Sequence, residues 1–135
     1  MSSQTERDVV IVSGPARAEY LHVLRAVGSS VAARAPLPYD AVDDLRLAVD
    51  EASAMLLAIR APATTITLEV ETLPDRLEIV VRSDVDVVGW PAPGMERTVG
   101  WTVLSALVDD VRTEAQPGGA ALRLVKRIHG PAPTG

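Results

Sequence analysis

Several residue types are missing or scarce in this chain, and each absence excludes a class of protein. The 135 residues include no cysteine and only two histidines. The chain therefore offers no disulfide framework, no thiolate zinc site and little material for an imidazole site. Phenylalanine is also absent, so we expect a core of Val, Leu, Ile and Ala. A single domain of this length can bury about two-thirds of its unfolded surface, which suffices without cross-links.

Positive charge and long apolar runs are scarce as well. The formal net charge is −5, and no Lys/Arg cluster forms a stripe that could follow a phosphate backbone. We expect no direct contact with nucleic acid. No apolar run approaches the roughly 18 residues of a membrane-spanning helix, and the polar start MSSQTERD lacks a signal-peptide core. We therefore expect no membrane segment and a cytoplasmic location.

Hydrophobic periodicity predicts the order strand, helix, helix, strand, strand, helix, strand, strand. The predicted strands are 8–13, 64–70, 76–82, 110–115 and 121–128, and the predicted helices are 16–34, 40–60 with Asp40 as N-cap, and 99–109. This order is typical of an α+β fold: a two-layer sandwich of a mostly antiparallel mixed sheet with three helices on one face. We expect one domain at 8–128, with flexible tails at 1–7 and 129–135.

The second predicted helix carries an unusual pair. Glu51 lies one turn before Met55 on the same flank of DLRLAVDEASAMLLAIR. A lone carboxylate on a helix flank is more often solvated or hydrogen-bonded than catalytic. A methionine there is most simply a gap-filling core residue.

Three longer stretches carry a family resemblance. YDAVDDLRLAVDEASAML, ERTVGWTVLSALVDDV and GGAALRLVKRI, in this order and spacing, resemble the anti-sigma factor and serine kinase branch of the GHKL ATPases, the RsbW and SpoIIAB types and their actinobacterial relatives. The resemblance covers about residues 8–128. It implies a homodimer that sequesters an alternative sigma factor from RNA polymerase. It also implies displacement or recruitment by an anti-anti-sigma protein of the STAS type, which active members phosphorylate on a serine with Mg-ATP.

The resemblance implies functional positions for Glu51 and Met55 on the second predicted helix. It puts Glu51 at the position of the base that accepts a proton from the nucleophile, and Met55 where an Asn oxygen holds Mg²⁺. A thioether is a poor ligand for this hard cation. We therefore expect Glu51 to be a residual catalytic group and no metal to be bound.

The glycine motifs of the family are altered too. Where the family has D-x-G-x-G, with an Asp that recognises adenine, this chain has Ser83 at the Asp and Val85 and Val87 at the glycines. Valine does not adopt the positive φ that glycine allows without strain. Asp84 substitutes for the missing Asp only if the register slips by one residue.

Two further nucleotide motifs keep only part of their pattern. In the G-x-G turn before the third helix, whose amides cradle phosphates, Gly100 remains and Thr98 replaces the first glycine. Gly100 equally serves simply to admit the helix start. The family's G-T-T near the last strand reads Gly119-Ala120-Ala121, without the hydroxyl. We expect no cofactor, with ATP and magnesium binding only if the altered site (Ser83, Asp84, Gly100) still accepts them.

Two residues are candidates for partner binding. Arg25, in EYLHVLR, resembles the family's arginine that touches both the sigma factor and the anti-anti-sigma protein, although an exposed helical arginine is usually only solvated. Trp90 lies in the proline-bearing segment 83–98 that corresponds to the nucleotide lid, where it either anchors the loop or meets a partner.

The resulting prediction is an anti-sigma factor that acts by protein binding, with kinase activity lost or strongly weakened. Two alternatives stay open. One is a working serine kinase that binds nucleotide through rearranged residues such as Asp84 and Asp86. The other is a partner-switching adaptor that binds only anti-anti-sigma proteins.

Overall fold

The computed structural model describes residues 8–59, 63–85, 89–116 and 119–128. The predicted order of eight elements is confirmed. They are β1 Asp8–Pro15, α1 Leu21–Ala32, α2 Tyr39–Leu57, β2 Thr65–Thr72, β3 Arg76–Ser83, α3 Val99–Leu107, β4 Asp110–Gln116 and β5 Gly119–Arg127. The tails predicted at 1–7 and 129–135 fall outside the described residues.

The five strands form one sheet in the order β1-β2-β3-β5-β4. Each neighbouring pair is antiparallel, so the α+β prediction is confirmed and no parallel pair occurs among the described strands. The connection through α3 separates β3 from β4 along the chain. This longer connection lets β5 lie beside β3 and leaves β4, like β1, at an edge of the described sheet.

The core lies between one face of the sheet and the helices. Strands alternate inward and outward residues, so Ile79 of β3 faces Leu124 of β5 in the register and both are fully buried. α2 adds Leu45 and Val49 from its inner stripe. α1 packs on α2, β1 and β2, α2 lies over β3 and β5, and α3 contacts α2 and β4. The predicted aliphatic core under three helices is confirmed.

The helix ends differ from the prediction at the start of α1 and at both ends of α2, and α1 and α3 each end two residues earlier than predicted, at Ala32 and Leu107. The segment before α1 forms a short 3₁₀ turn, Ala18–Tyr20, rather than the first turn of the helix. The N-cap of α2 is Pro38 and not Asp40, because the fixed φ of proline suits the extended conformation found there. Asp40 instead lies in the first turn, near the positive end of the helix dipole. α2 also ends at Leu57, before the predicted residue 60.

Within the four described ranges, no helix is long and apolar enough to cross a bilayer.

Candidate functional site

Glu51 and Met55, which lie one turn apart on α2, contact the start of α3 at Gly100. A Cβ atom built on Gly100 would lie 3.0 Å from Glu51 Oε2 and 3.1 Å from Met55 Sδ. Such contacts are tighter than nine in ten real Cβ contacts, so a residue without a side chain favours the close approach of α3 to α2. Glu51 and Met55 therefore form the surface against which the first turn of α3 packs.

Thr98 caps the start of α3 next to Glu51 and Met55. The hydroxyl of Thr98 accepts a hydrogen bond from the Trp101 backbone N–H at 3.2 Å and donates one to the Met95 carbonyl at 2.6 Å. Thr98 has the extended backbone of an N-cap residue. Thus the residue that replaces the family's first glycine ends a 3₁₀ turn, Met95–Arg97, and begins α3.

A cavity of about 550 Å³ opens beside Glu51, Met55 and Gly100. Its volume is within the range of small-molecule sites. The described residues that line it are mostly apolar and come from α2 and the residues just after it, from the segment before α3 and from the first turn of α3; they include Met55, Ile59, Trp90, Pro93 and Met95. Glu51 is the one charged side chain among them.

Two of the three polar side chains in the described lining, those of Trp90 and Thr98, are already engaged. The indole N–H of Trp90 donates to the Glu114 carbonyl on β4 at 3.0 Å, and the Thr98 hydroxyl is used twice in the cap. The carboxylate of Glu51 has no hydrogen bond or ion pair to any described residue. Glu51 is therefore the free polar group that the described lining presents to a ligand.

Ser83 and Asp84 lie away from this cavity. Ser83 is completely buried at the end of β3, and its hydroxyl accepts a hydrogen bond from the Val85 backbone N–H at 3.3 Å. Val85 is itself in the core, 1% exposed. Neither Ser83 nor Asp84 is among the described lining residues. Asp86, the other candidate for a rearranged nucleotide site, and Val87 fall outside the described residues.

Asp84 has a structural role at the start of β2. Its Oδ1 accepts hydrogen bonds from the backbone N–H groups of Thr64 at 2.8 Å and Thr65 at 3.0 Å, and its Oδ2 pairs with the Thr64 hydroxyl. These donors, the Thr64 hydroxyl foremost, hold the pKa of Asp84 below its ordinary value because they stabilise the carboxylate. The side chain therefore fastens the end of β3 to the start of β2.

Arg25 forms an ion pair that the sequence prediction does not include. Its Nη1 lies 2.8 Å from Asp50 Oδ2, and the side chains are 40% and 34% exposed. The pair joins α1 to α2 and leaves part of the guanidinium accessible. Asp50 directly precedes Glu51, but helical periodicity alone gives no sign that it meets a residue 25 positions earlier.

The structure therefore divides the predicted site residues into two groups. Glu51, Gly100 and Trp90 surround one cavity. Arg25, Ser83 and Asp84 lie elsewhere. No cluster of three or more histidines or carboxylates with the arrangement of a metal site occurs in the described part of the chain.

A profile of the histidine kinase-like ATPase domain matches residues 14–126. The chain is similar to the anti-sigma-F factor RsbW of Mycobacterium tuberculosis (strain ATCC 25618 / H37Rv), with 38% identity over 98 residues, which are 73% of this chain and 56% of that protein. This chain therefore matches little more than half the length of the mycobacterial relative.

Two kinases from Bacillus are also similar. The serine-protein kinase RsbW of Bacillus licheniformis is 29% identical over 129 residues, covering 82% of this chain and 81% of the relative. The protein of the same name from Bacillus subtilis (strain 168) is 26% identical over 141 residues, covering 91% and 88%.

Proposed function

Because this chain belongs to the histidine kinase-like ATPase family, in the branch that contains anti-sigma factors and serine kinases, we propose that it is an anti-sigma factor that acts by protein binding. It sequesters an alternative sigma factor from RNA polymerase. An anti-anti-sigma protein of the STAS type releases that sigma factor by competing for the same chain. The mycobacterial relative is named an anti-sigma-F factor, which supports the anti-sigma role.

The observation that carries the proposal is the position of Met55. Its sulfur, like the Glu51 carboxylate, lies against Gly100 at the start of α3, where the family resemblance requires an oxygen ligand for Mg²⁺. The other described residues that line the cavity provide one carboxylate and mainly apolar surface. This donor set does not fit a magnesium nucleotide, because Mg²⁺ demands oxygen ligands in near-octahedral geometry. The proposed activity therefore needs no phosphoryl transfer.

Arg25 belongs to the proposed partner surface. Its ion pair with Asp50 fixes the direction of the side chain, while 40% of the side chain remains exposed. A guanidinium held in this way can pair with a partner carboxylate at a small cost in side-chain entropy. Trp90 is a weaker candidate, because its indole N–H is engaged with β4 and its ring packs against the core.

A homodimer is part of the same proposal, and β1 supports it. This strand lies at the edge of the described sheet, and it exposes 62% of Ile11 and 41% of Val10. An exposed apolar edge strand is a template for pairing with another chain.

A serine kinase is the second candidate function. Glu51 remains unpaired beside a cavity of suitable size, and the two Bacillus relatives are named as serine-protein kinases. In this reading Glu51 is the base and nucleotide binds through other residues than those of the family motifs.

A reconstitution experiment separates these readings. The purified protein is tested against each sigma factor and STAS protein encoded in the same genome, with and without Mg-ATP, by biolayer interferometry and phosphopeptide mass spectrometry. The proposal predicts one sigma factor bound without nucleotide and displaced by a STAS protein. Phosphoserine on the STAS protein would support the kinase instead. Binding of STAS proteins with no sigma factor would support the adaptor.

A further inference from the structure

The cavity beside Glu51 has a property that sigma-factor binding does not use. Its described walls are largely apolar, contributed by thioether, indole, pyrrolidine and branched aliphatic side chains. Burial of a matching apolar surface favours binding because it removes that surface from water. A volume of about 550 Å³ can therefore hold a small organic molecule with an apolar body.

The charge in this cavity is not compensated by the described residues. Glu51 has no hydrogen-bond or ion-pair partner among them, and none of the described lining residues is Lys, Arg or His. The half-buried Glu51 carboxylate can accept a hydrogen bond from a ligand, and a charged donor forms a stronger hydrogen bond with it than a neutral donor does. An anionic ligand would meet repulsion from the same group.

From these two features we propose that the cavity binds a small organic ammonium ion, whose charged nitrogen pairs with the Glu51 carboxylate and whose apolar body lies against Met55, Trp90 and Met95. The thioethers adapt to the ligand shape because methionine side chains are flexible and polarizable. The polar walls expected for a nucleotide are replaced by walls that favour this ligand class. The inference goes beyond the proposed function and depends on no sigma factor.

Three probes of similar shape and different charge test this inference. 2-Phenylethylammonium, 2-phenylethanol and 3-phenylpropionate are titrated into the purified full chain, with binding followed by calorimetry and by tryptophan emission. We expect the ammonium probe to bind at least about tenfold more tightly than the neutral alcohol, as a charge-assisted hydrogen bond implies. We expect the carboxylate probe to bind most weakly.

Two variants locate the charge that selects the probe. Glu51→Gln keeps the shape of the side chain, and it should reduce the ratio between ammonium and alcohol affinities to about one. Asp43→Asn removes a carboxylate from the same helix, at an exposed position outside the described lining, and should leave that ratio unchanged. Circular dichroism checks that both variants fold.

Three results would overturn the proposal of an ammonium site. Equal affinities of the three probes for the unmodified chain would overturn it, as would no ammonium binding up to about ten millimolar. Selectivity that persists in Glu51→Gln would also overturn it. Because no sigma factor takes part in these titrations, their failure is distinct from a failure of the anti-sigma proposal.

Discussion

The backbone carbonyl oxygen of Ser83 lies so close to Gly119 that a Cβ atom built on Gly119 would come within 3.0 Å of it. Ser83 ends β3 and Gly119 begins β5, and the next residue, Ala120, pairs with Ser83 in the register. The carbonyl belongs to a backbone that is fixed in the sheet. Unlike a flexible side chain, it has little freedom to move away from an added methyl group.

We therefore predict that Gly119→Ala destabilises the fold. The strands must separate locally to admit the methyl group, and overpacking of this kind costs about 1–3 kcal/mol in the free energy of unfolding. Chemical denaturation measures the change. Gly14→Ala is the matched control, because its Cβ would lie 3.9 Å from the nearest atom, the Leu24 Cδ1, and we expect a change below about 0.5 kcal/mol. Equal effects of the two substitutions would contradict the prediction.

The carboxylate of Asp84 should give a pH-dependent contribution to stability. Its pKa in the folded protein is below the ordinary value of 3.8, so the unfolded chain takes up a proton first as the pH falls. The contribution is complete well above pH 3.8 and is lost as the pH falls below 3.8 through the folded pKa.

Asp84→Asn tests this contribution. We expect the variant to unfold at lower denaturant concentration than the unmodified chain at pH 7, and the difference to narrow as the pH falls below 3.8. Denaturation midpoints measured from pH 7 to pH 2.5 provide the comparison. A constant difference across this range would show that the carboxylate charge is not what holds Thr64 and Thr65.

Arg25 should affect partner binding more than stability. An ion pair in which both side chains are over one-third exposed contributes about 0–1 kcal/mol to folding. We therefore expect Arg25→Ala to lower the free energy of unfolding by no more than this, and to weaken sigma-factor binding by at least about tenfold if its guanidinium meets a partner carboxylate.

Asp50→Ala is the matched control for Arg25. It removes the same ion pair and keeps the guanidinium, so it should weaken binding less than Arg25→Ala does. Interferometry with the sigma factor identified by reconstitution measures both variants. Equal loss of affinity in the two would reduce Arg25 to a structural role.

The fold could be predicted largely from the sequence because its signals are local. Alternation defines β2 and β3, and apolar spacing defines α2. The wrong prediction at Asp40 arises from two local signals in competition, since an acidic residue and the nearby Pro38 both suit a helix start. The sequence alone gives no means of ranking them.

The site could be predicted only in part, because it depends on contacts between distant segments. Glu51 and Met55 share a helix flank, which spacing reveals, but their contact with Gly100 depends on how α3 packs on α2. The engagement of Asp84 with Thr64 likewise depends on strand pairing across twenty residues. The Arg25–Asp50 pair follows from helix packing and has no sequence pattern of its own.

The central claim is that this cavity no longer accepts a magnesium nucleotide, and a calorimetric titration of the purified protein with ATP, with and without Mg²⁺, tests it most directly. Tryptophan emission is recorded in parallel, because Trp90 lines the cavity. We predict no heat and no spectral change up to millimolar nucleotide. Magnesium-dependent binding in the micromolar range would contradict the account and favour the serine kinase.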